Sequence, residues 1–166
     1  MPDIIIRKSR VEDIDQIIKV FQSARRYMRA NNNMSQWNEN YPGKVDILND
    51  INNGNSYVGI GKDGELVMTF AFIIGEDPTY KIIKEGEWLN NEIYGTIHRI
   101  ASNGKIRGVL KAACDFCFNE IGNIRIDTHK DNLPMLKALK DLDFQRCGII
   151  NCRDGSPRIA FQKQNN

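Results

Sequence analysis

A mixed α and β fold with helices on both sides of a central strand is predicted by two runs of residues. Ile14, Ile17, Ile18, Phe21, Ala24 and Met28 recur at the spacing of one helix face. Residues 66–74, Leu-Val-Met-Thr-Phe-Ala-Phe-Ile-Ile, are almost continuously apolar, as in a strand buried on both faces. At 166 residues and 19.0 kDa, residues 1–166 fit one domain with one core.

The elements follow in order. Residues 3–7 read as a short strand. Ser9, with Glu12 three positions later, predicts a capping box that opens the first helix. Asn31-Asn32-Asn33 breaks that helix, and an irregular segment carrying Trp37 and Tyr41 follows. Residues 45–51 fit a second short helix, ended by Asn52-Asn53-Gly54. Residues 56–61 and 66–74 form a hairpin across Lys62-Asp63-Gly64. Residues 75–91 are polar and irregular and hold Tyr80 and Trp88. A strand over 93–101 then enters a glycine-bearing turn, which opens a helix over about 107–120. Residues 124–127 are a short strand, and 133–142 a helix with Pro134 tolerated in its first turn. Two closing strands, 144–151 and 158–162, are linked by Asp154-Gly155-Ser156-Pro157.

The formal charge is +2, from 23 basic and 21 acidic residues. That balance gives no electrostatic basis for nucleic-acid or membrane-surface partners. The N-terminal apolar run is too short for a signal peptide and no stretch approaches a membrane span, so a cytoplasmic protein is expected. Cys114 and Cys117, with Cys147 and Cys152, suffice by count for a zinc site, but the first pair also falls where a helix wants buried apolar residues. Buried thiols and no metal are the expectation. Arg25, Arg26 and Arg29 fit either an acidic partner or a solvated helix face.

Residues 97–113 carry the chemistry: Ile-His-Arg-Ile-Ala-Ser-Asn-Gly-Lys-Ile-Arg-Gly-Val-Leu-Lys-Ala-Ala. An apolar strand runs into a polar turn and then a helix. Amides in the first turn of a helix lack internal partners and carry the positive end of its dipole, so a phosphate is a natural ligand. Gly108 permits close backbone approach, and Lys105 and Arg107 bring cations.

In this order of elements and in these residues the chain resembles the GNAT superfamily of acetyl-CoA-dependent N-acetyltransferases. The family's phosphate loop, Gln/Arg-x-x-Gly-x-Gly/Ala, falls on Lys105-Ile106-Arg107-Gly108-Val109-Leu110. Lys105 is a conservative departure, and Leu110 replaces a small residue, leaving less room for backbone to reach a pyrophosphate. Asn132 stands in a second family slot, at the start of a helix ending in Asp143-Phe144 where the family has Gly-Phe. Leu139 occupies the position where many members carry a Tyr that protonates the departing thiolate.

The resemblance implies a mostly antiparallel central sheet of six to seven strands, splayed at strands 4 and 5 and flanked by helices on both faces. It also implies an acetyl-CoA cosubstrate in that cleft. Ile100, Ala101 and Ser102 would run along the pantetheine arm, residues 105–110 would hold the pyrophosphate, and Asn132 would bond from the far wall.

An amine must be neutral to attack, so a base near it helps at neutral pH. His98 is the candidate; aralkylamine N-acetyltransferases resemble the chain here, with a His at the matching strand position. The alternative is a strand histidine bonded to a neighbour. His129 either binds substrate or caps the turn after the fifth strand.

Trp37, Tyr41, Tyr80 and Trp88 fall in the two irregular segments, where they line an acceptor pocket or cover core edges. Glu76, Asp77, Glu85 and Glu87 nearby would attract a cationic amine. The expected activity is acetyl transfer to a primary amine of a small molecule or peptide. The alternative is a non-catalytic acyl-CoA-binding regulatory module, which Leu110 and Leu139 keep open. The sequence leaves the oligomeric state undecided, a homodimer included.

Overall fold

A computed structural model describes residues 3–165. The first strand, β1 (Ile5–Lys8), leads into a 3-10 turn (Val11–Asp13) and then α1 (Ile14–Ala30). The cap lies one residue beyond the predicted Ser9/Glu12 box. The Arg10 amide donates to Asp13 Oδ2 at 2.7 Å, and the Arg7 guanidinium grips the same carboxylate at 2.8 and 2.9 Å. Ser9 is instead buried and accepts from the Ser56 hydroxyl at 2.7 Å, while Glu12 faces solvent. Asp13 wins the cap because it alone meets two donors. The helix ends at Asn31, with Asn32 in a left-handed conformation (φ 64°).

Next come α2 (Lys44–Asn52), β2 (Ser56–Ile60) and β3 (Leu66–Ile74), the last buried from Leu66 to Phe72. After a 20-residue connection come β4 (Gly95–Ser102) and α3 (Val109–Phe118), then β5 (Asn123–Thr128) and α4 (Leu133–Asp141). β6 (Gln145–Asn151) and β7 (Pro157–Gln164) close the chain. α3 begins two residues later than predicted, because Gly108 at φ 77° stands outside the helix as its cap.

The seven strands form one sheet in the order β1-β2-β3-β4-β5-β7-β6, antiparallel except for β4 with β5. Those two pair only at Gly95–Ile124 and Thr96–Arg125, then part. The mostly antiparallel sheet expected, of six to seven strands with a fork at strands 4 and 5, is therefore present with seven. α1 and α2 cover one face, burying Ile14, Ile17, Phe21, Trp37 and Ile47 against Val58, Leu66 and Ala101. α3 and α4 pack Leu110, Cys114, Cys117 and Leu139 onto Phe70, Phe72, Ile124 and Ile126. Beyond the fork, Tyr80 and Tyr94 of the β3–β4 connection pack onto Ile150 and Ala160.

A bulge in β4 decides what faces the fork. Ala71 pairs with His98 and Thr69 with Ala101, so Phe70 alone opposes Arg99 and Ile100. Arg99 takes a left-handed conformation (φ 51°). The extra residue resets the alternation of faces. Ile97 and Ile100 pack on the α3–α4 side, whereas Ala101 packs under α1 and α2. His98 therefore projects to the α1–α2 side, at the opening. Among the described residues no helix is long and apolar enough to cross a membrane.

Candidate active site

The anion corner forms where β4 hands over to α3. Gly104 N–H donates to Ser102 Oγ and Lys105 N–H to Asn103 Oδ1, both at 3.0 Å. From Ile106 to Lys111, among the described residues, no backbone N–H has a protein acceptor until Ala112 bonds Gly108 O at 3.0 Å. Free amides at the positive end of a ten-residue helix fit a pyrophosphate. Arg107 is exposed, and Lys105 pairs with Glu65 at 2.6 Å. Ile106 and Val109 pack on the core from one side of the turn. The expectation that Leu110 crowds this corner is corrected: its side chain is buried beneath α3, away from the free amides.

Beside the corner, the β4 edge facing β5 has no ladder partner from Ile97 to Ser102. Ile100 is half-buried, Ala101 buried, and Ser102 turns its hydroxyl to the loop. An extended ligand with amide groups could complete this edge, so the fork and the corner together fit the ligand that the resemblance implies. Asn132 caps α4, its Oδ1 accepting from Met135 N at 3.3 Å, and its Nδ2 donates to Gln36 Oε1 at 3.0 Å. Gln36 Oε1 also accepts from Asn33 at 2.9 Å, so the segment after α1 is tied to the start of α4. Leu139 is fully buried, at 0% exposure, and belongs to the core.

His98 is not isolated. Its Nε2 lies 2.7 Å from Asp77 Oδ2. Asp77 Oδ1 accepts from the Thr79 amide (2.8 Å) and hydroxyl (2.7 Å), and the Asp77 amide donates to the Tyr94 hydroxyl at 2.7 Å. Burial opposes ionisation of Asp77, but the His98 bond and the Thr79 donors outweigh it. They hold the carboxyl well below the usual carboxylate range. An anionic partner at Nε2 assigns the proton to that nitrogen and leaves Nδ1 to accept.

Tyr80, 1% exposed, lies beneath this pair and donates its hydroxyl to Asp127 Oδ2 at 2.6 Å. Its ring centroid is 6.0 Å from that of His98. Burial, then Asp127, raise the phenol well above its ordinary pKa, so it stays a donor. Trp37 is likewise interior, edge-on to Phe21 at 5.6 Å and to Tyr41 at 6.4 Å. For Trp37 and Tyr80 the pocket-lining expectation is corrected: each is core, because an apolar ring gains more from burial than from a wet loop.

Tyr41 is half-buried, and its hydroxyl accepts from Arg99 at 3.4 Å. Trp88 is half-buried, donates to Tyr80 O at 2.9 Å and faces the Arg125 guanidinium at 4.1 Å. His129 caps a turn, its Nδ1 accepting from the Asp131 amide at 3.0 Å. Among the described residues no three His, Cys, Asp or Glu side chains gather as a metal site needs.

Asp127, Gln36 and the Arg99–Asp50 pair were not predicted. Nor was Asp77 predicted as the partner of His98, although Asp-Pro-Thr, a helix-start pattern, marked it as a structured position.

No protein-family model and no curated protein matches the chain. Solved structures do. An acetyltransferase of the GNAT family from Streptococcus agalactiae 2603 is 35% identical, covers 98% of this chain and 96% of its own, and superposes with a TM-score of 0.87. A GNAT-family acetyltransferase from Listeria monocytogenes 4b F2365 shares the fold at 18% identity (98% and 95% covered, TM-score 0.70). So does one from Bacillus cereus ATCC 10987, at 15% identity (98% and 98% covered, TM-score 0.64).

Proposed function

The chain belongs to the GNAT family of acetyltransferases, and we propose that it is a cytoplasmic N-acetyltransferase moving an acetyl group from acetyl-CoA to a primary amine of a small molecule or peptide. The observation that carries the reading is the His98–Asp77 pair at the mouth of the β4–β5 fork. Ile100, Ala101 and Ser102 offer main-chain groups along the unpaired edge. Within 105–110, residues 106–110 offer free amides to the pyrophosphate and Arg107 an exposed cation, with Lys105 available on leaving Glu65. Asn132 bounds the far wall while capping α4.

Acetyl-CoA, when bound, supplies the thioester carbonyl that an amine attacks. His98 Nδ1 takes one proton from the ammonium and passes it to solvent, so that the amine nitrogen presents its lone pair; after attack Nδ1 takes the second proton from the same nitrogen as the C–S bond breaks. Asp77 fixes the ring and stabilises the imidazolium that results. Main-chain N–H near Ile100 stabilises charge developing on a carbonyl oxygen in the fork. Leu139 offers no proton, so solvent is the acid for the departing thiolate, itself a tolerable leaving group.

Free-thiol release with acetyl-CoA and a panel of amines, run beside thermal shift, tests this. His98→Ala is expected to lower turnover by about 10²-fold or more while keeping the acetyl-CoA shift. Unchanged turnover across pH removes His98 from the mechanism. Stabilisation without thiol release on any amine favours the non-catalytic module.

A further inference from the structure

The fork has a second polar wall. Thr96 and Arg125 are the last paired residues of β4 and β5. His98 lies two positions beyond the first and Asp127 two beyond the second. Alternation along each strand puts both side chains on one face, on opposite sides of the opening. Tyr80 lies buried beneath both, its ring near His98 and its hydroxyl on Asp127.

Asp77 has a cationic partner whenever His98 is protonated. Asp127 has none: among the described residues its carboxylate accepts one hydrogen bond, from the neutral Tyr80 hydroxyl, and no Lys, Arg or His lies within ion-pair distance. The neighbouring guanidiniums are committed elsewhere. Arg125 donates to Asn90 O at 2.8 Å between Trp88 and Tyr94, and Arg158 donates to Ser156, Pro157 and Gln36. One rung below, on the same face, Thr96 Oγ1 and Arg125 Nε are buried without a protein partner, so the root of the opening is polar too. A half-buried carboxylate with one neutral donor is poorly compensated, and an ammonium group supplies both charge and donors.

We propose that Asp127 anchors the acceptor as a cation, so that the enzyme selects amines that arrive protonated and presents them across the opening to His98. This rests on the N-acetyltransferase reading and narrows its substrate class to alkylammonium acceptors. Tyr80 acts as a positioning residue for the carboxylate.

Asp127→Asn is nearly isosteric and keeps an oxygen for the Tyr80 hydroxyl. Parent and variant are compared with 1,4-diaminobutane, tyramine and a lysine-bearing peptide, all cationic, and with aniline, which is uncharged near neutral pH. The variant is expected to raise KM for the cationic amines by about tenfold or more, with kcat, the aniline KM and the acetyl-CoA thermal shift changing by less than about threefold. Asp127→Glu keeps the charge but moves it by a methylene, and is expected to shift the ratio of cationic to aniline KM by at least about threefold. An unmoved ratio in both variants overturns the anchor while leaving the acetyltransferase reading intact. A parent that is stabilised by acetyl-CoA but acetylates no amine overturns both.

Discussion

On the proposed mechanism His98 and Asp77, 2.7 Å apart, act as one unit, so their variants should not be additive. Asp77→Asn preserves size and removes the charge; turnover is expected to fall about tenfold or more, and His98→Ala/Asp77→Asn to be no worse than His98→Ala alone. Steady-state kinetics on the three variants check this, and additive losses contradict it. The thiols make a second test at this scale. Burial pushes Cys114 up to about 12 and Cys117 higher still, so at about pH 8 Cys114 holds roughly a thousandfold less thiolate than an ordinary cysteine. Peptide mapping after iodoacetamide should find Cys152, the one half-exposed thiol, modified in the folded protein. Cys114 and Cys117 should react only in denaturant. The place of His98 on β4, just before the turn, was legible because it is a local pattern. Its partnership with Asp77 was not, since 21 residues separate them and only folding makes them neighbours.

The elements show where local pattern stops being enough. Helices were readable from apolar spacing, and even Leu139 fits it, as a buried rung of α4. Replacing it with the family's tyrosine overpacks that core: Leu139→Tyr is expected to lose about 1–3 kcal/mol in chemical denaturation without raising turnover. The β4 bulge was invisible, because it exists only in the pairing of β4 with β3. What holds it is also non-local. Arg99 makes two bonds to Asp50 of α2, at 2.8 and 2.7 Å, both side chains being mostly buried. Asp50→Ala leaves that guanidinium with the Tyr41 hydroxyl, a long contact. A loss of about 2–4 kcal/mol is expected, with turnover falling beyond what stability explains, because His98 directly precedes the bulge.

For the whole molecule, the sheet order and its fork followed from the order of elements once the resemblance was drawn. The cover over β5, β6 and β7 did not. It is a connection of irregular chain whose backbone meets β6 at Lys84 and Ile149, with amide bonds of 2.8 Å each way. A methyl group on Gly148 would fall 2.4 Å from Lys84 O, so the contact demands glycine for space. Acid sensitivity also belongs to this scale. The Arg7 bond holds the Asp13 carboxyl below its ordinary 3.8. The stability it contributes is present above about pH 4 and lost as pH falls through the lowered value. Burial, then Arg158, lower His129 below 6.5, so the unfolded chain binds that proton more readily. Stability should therefore begin to fall below about pH 7 and drop further below about pH 4. Urea midpoints across this range, with Asp13→Asn and His129→Gln, separate the two steps: His129→Gln should flatten only the first, and Asp13→Asn should lessen only the second, to which the lowered Asp77 carboxyl also contributes.

Two residue pairs are all that stitch β4 to β5 by main chain, so the sheet is mechanically a pair of panels with a short seam. Side chains of α3 and α4 lie across both panels and keep them aligned. Amides bordering the seam should exchange with deuterium sooner than those deep in either panel. Anything that fills the gap with hydrogen bonds should slow that exchange on both sides at once, turning two panels into one plate.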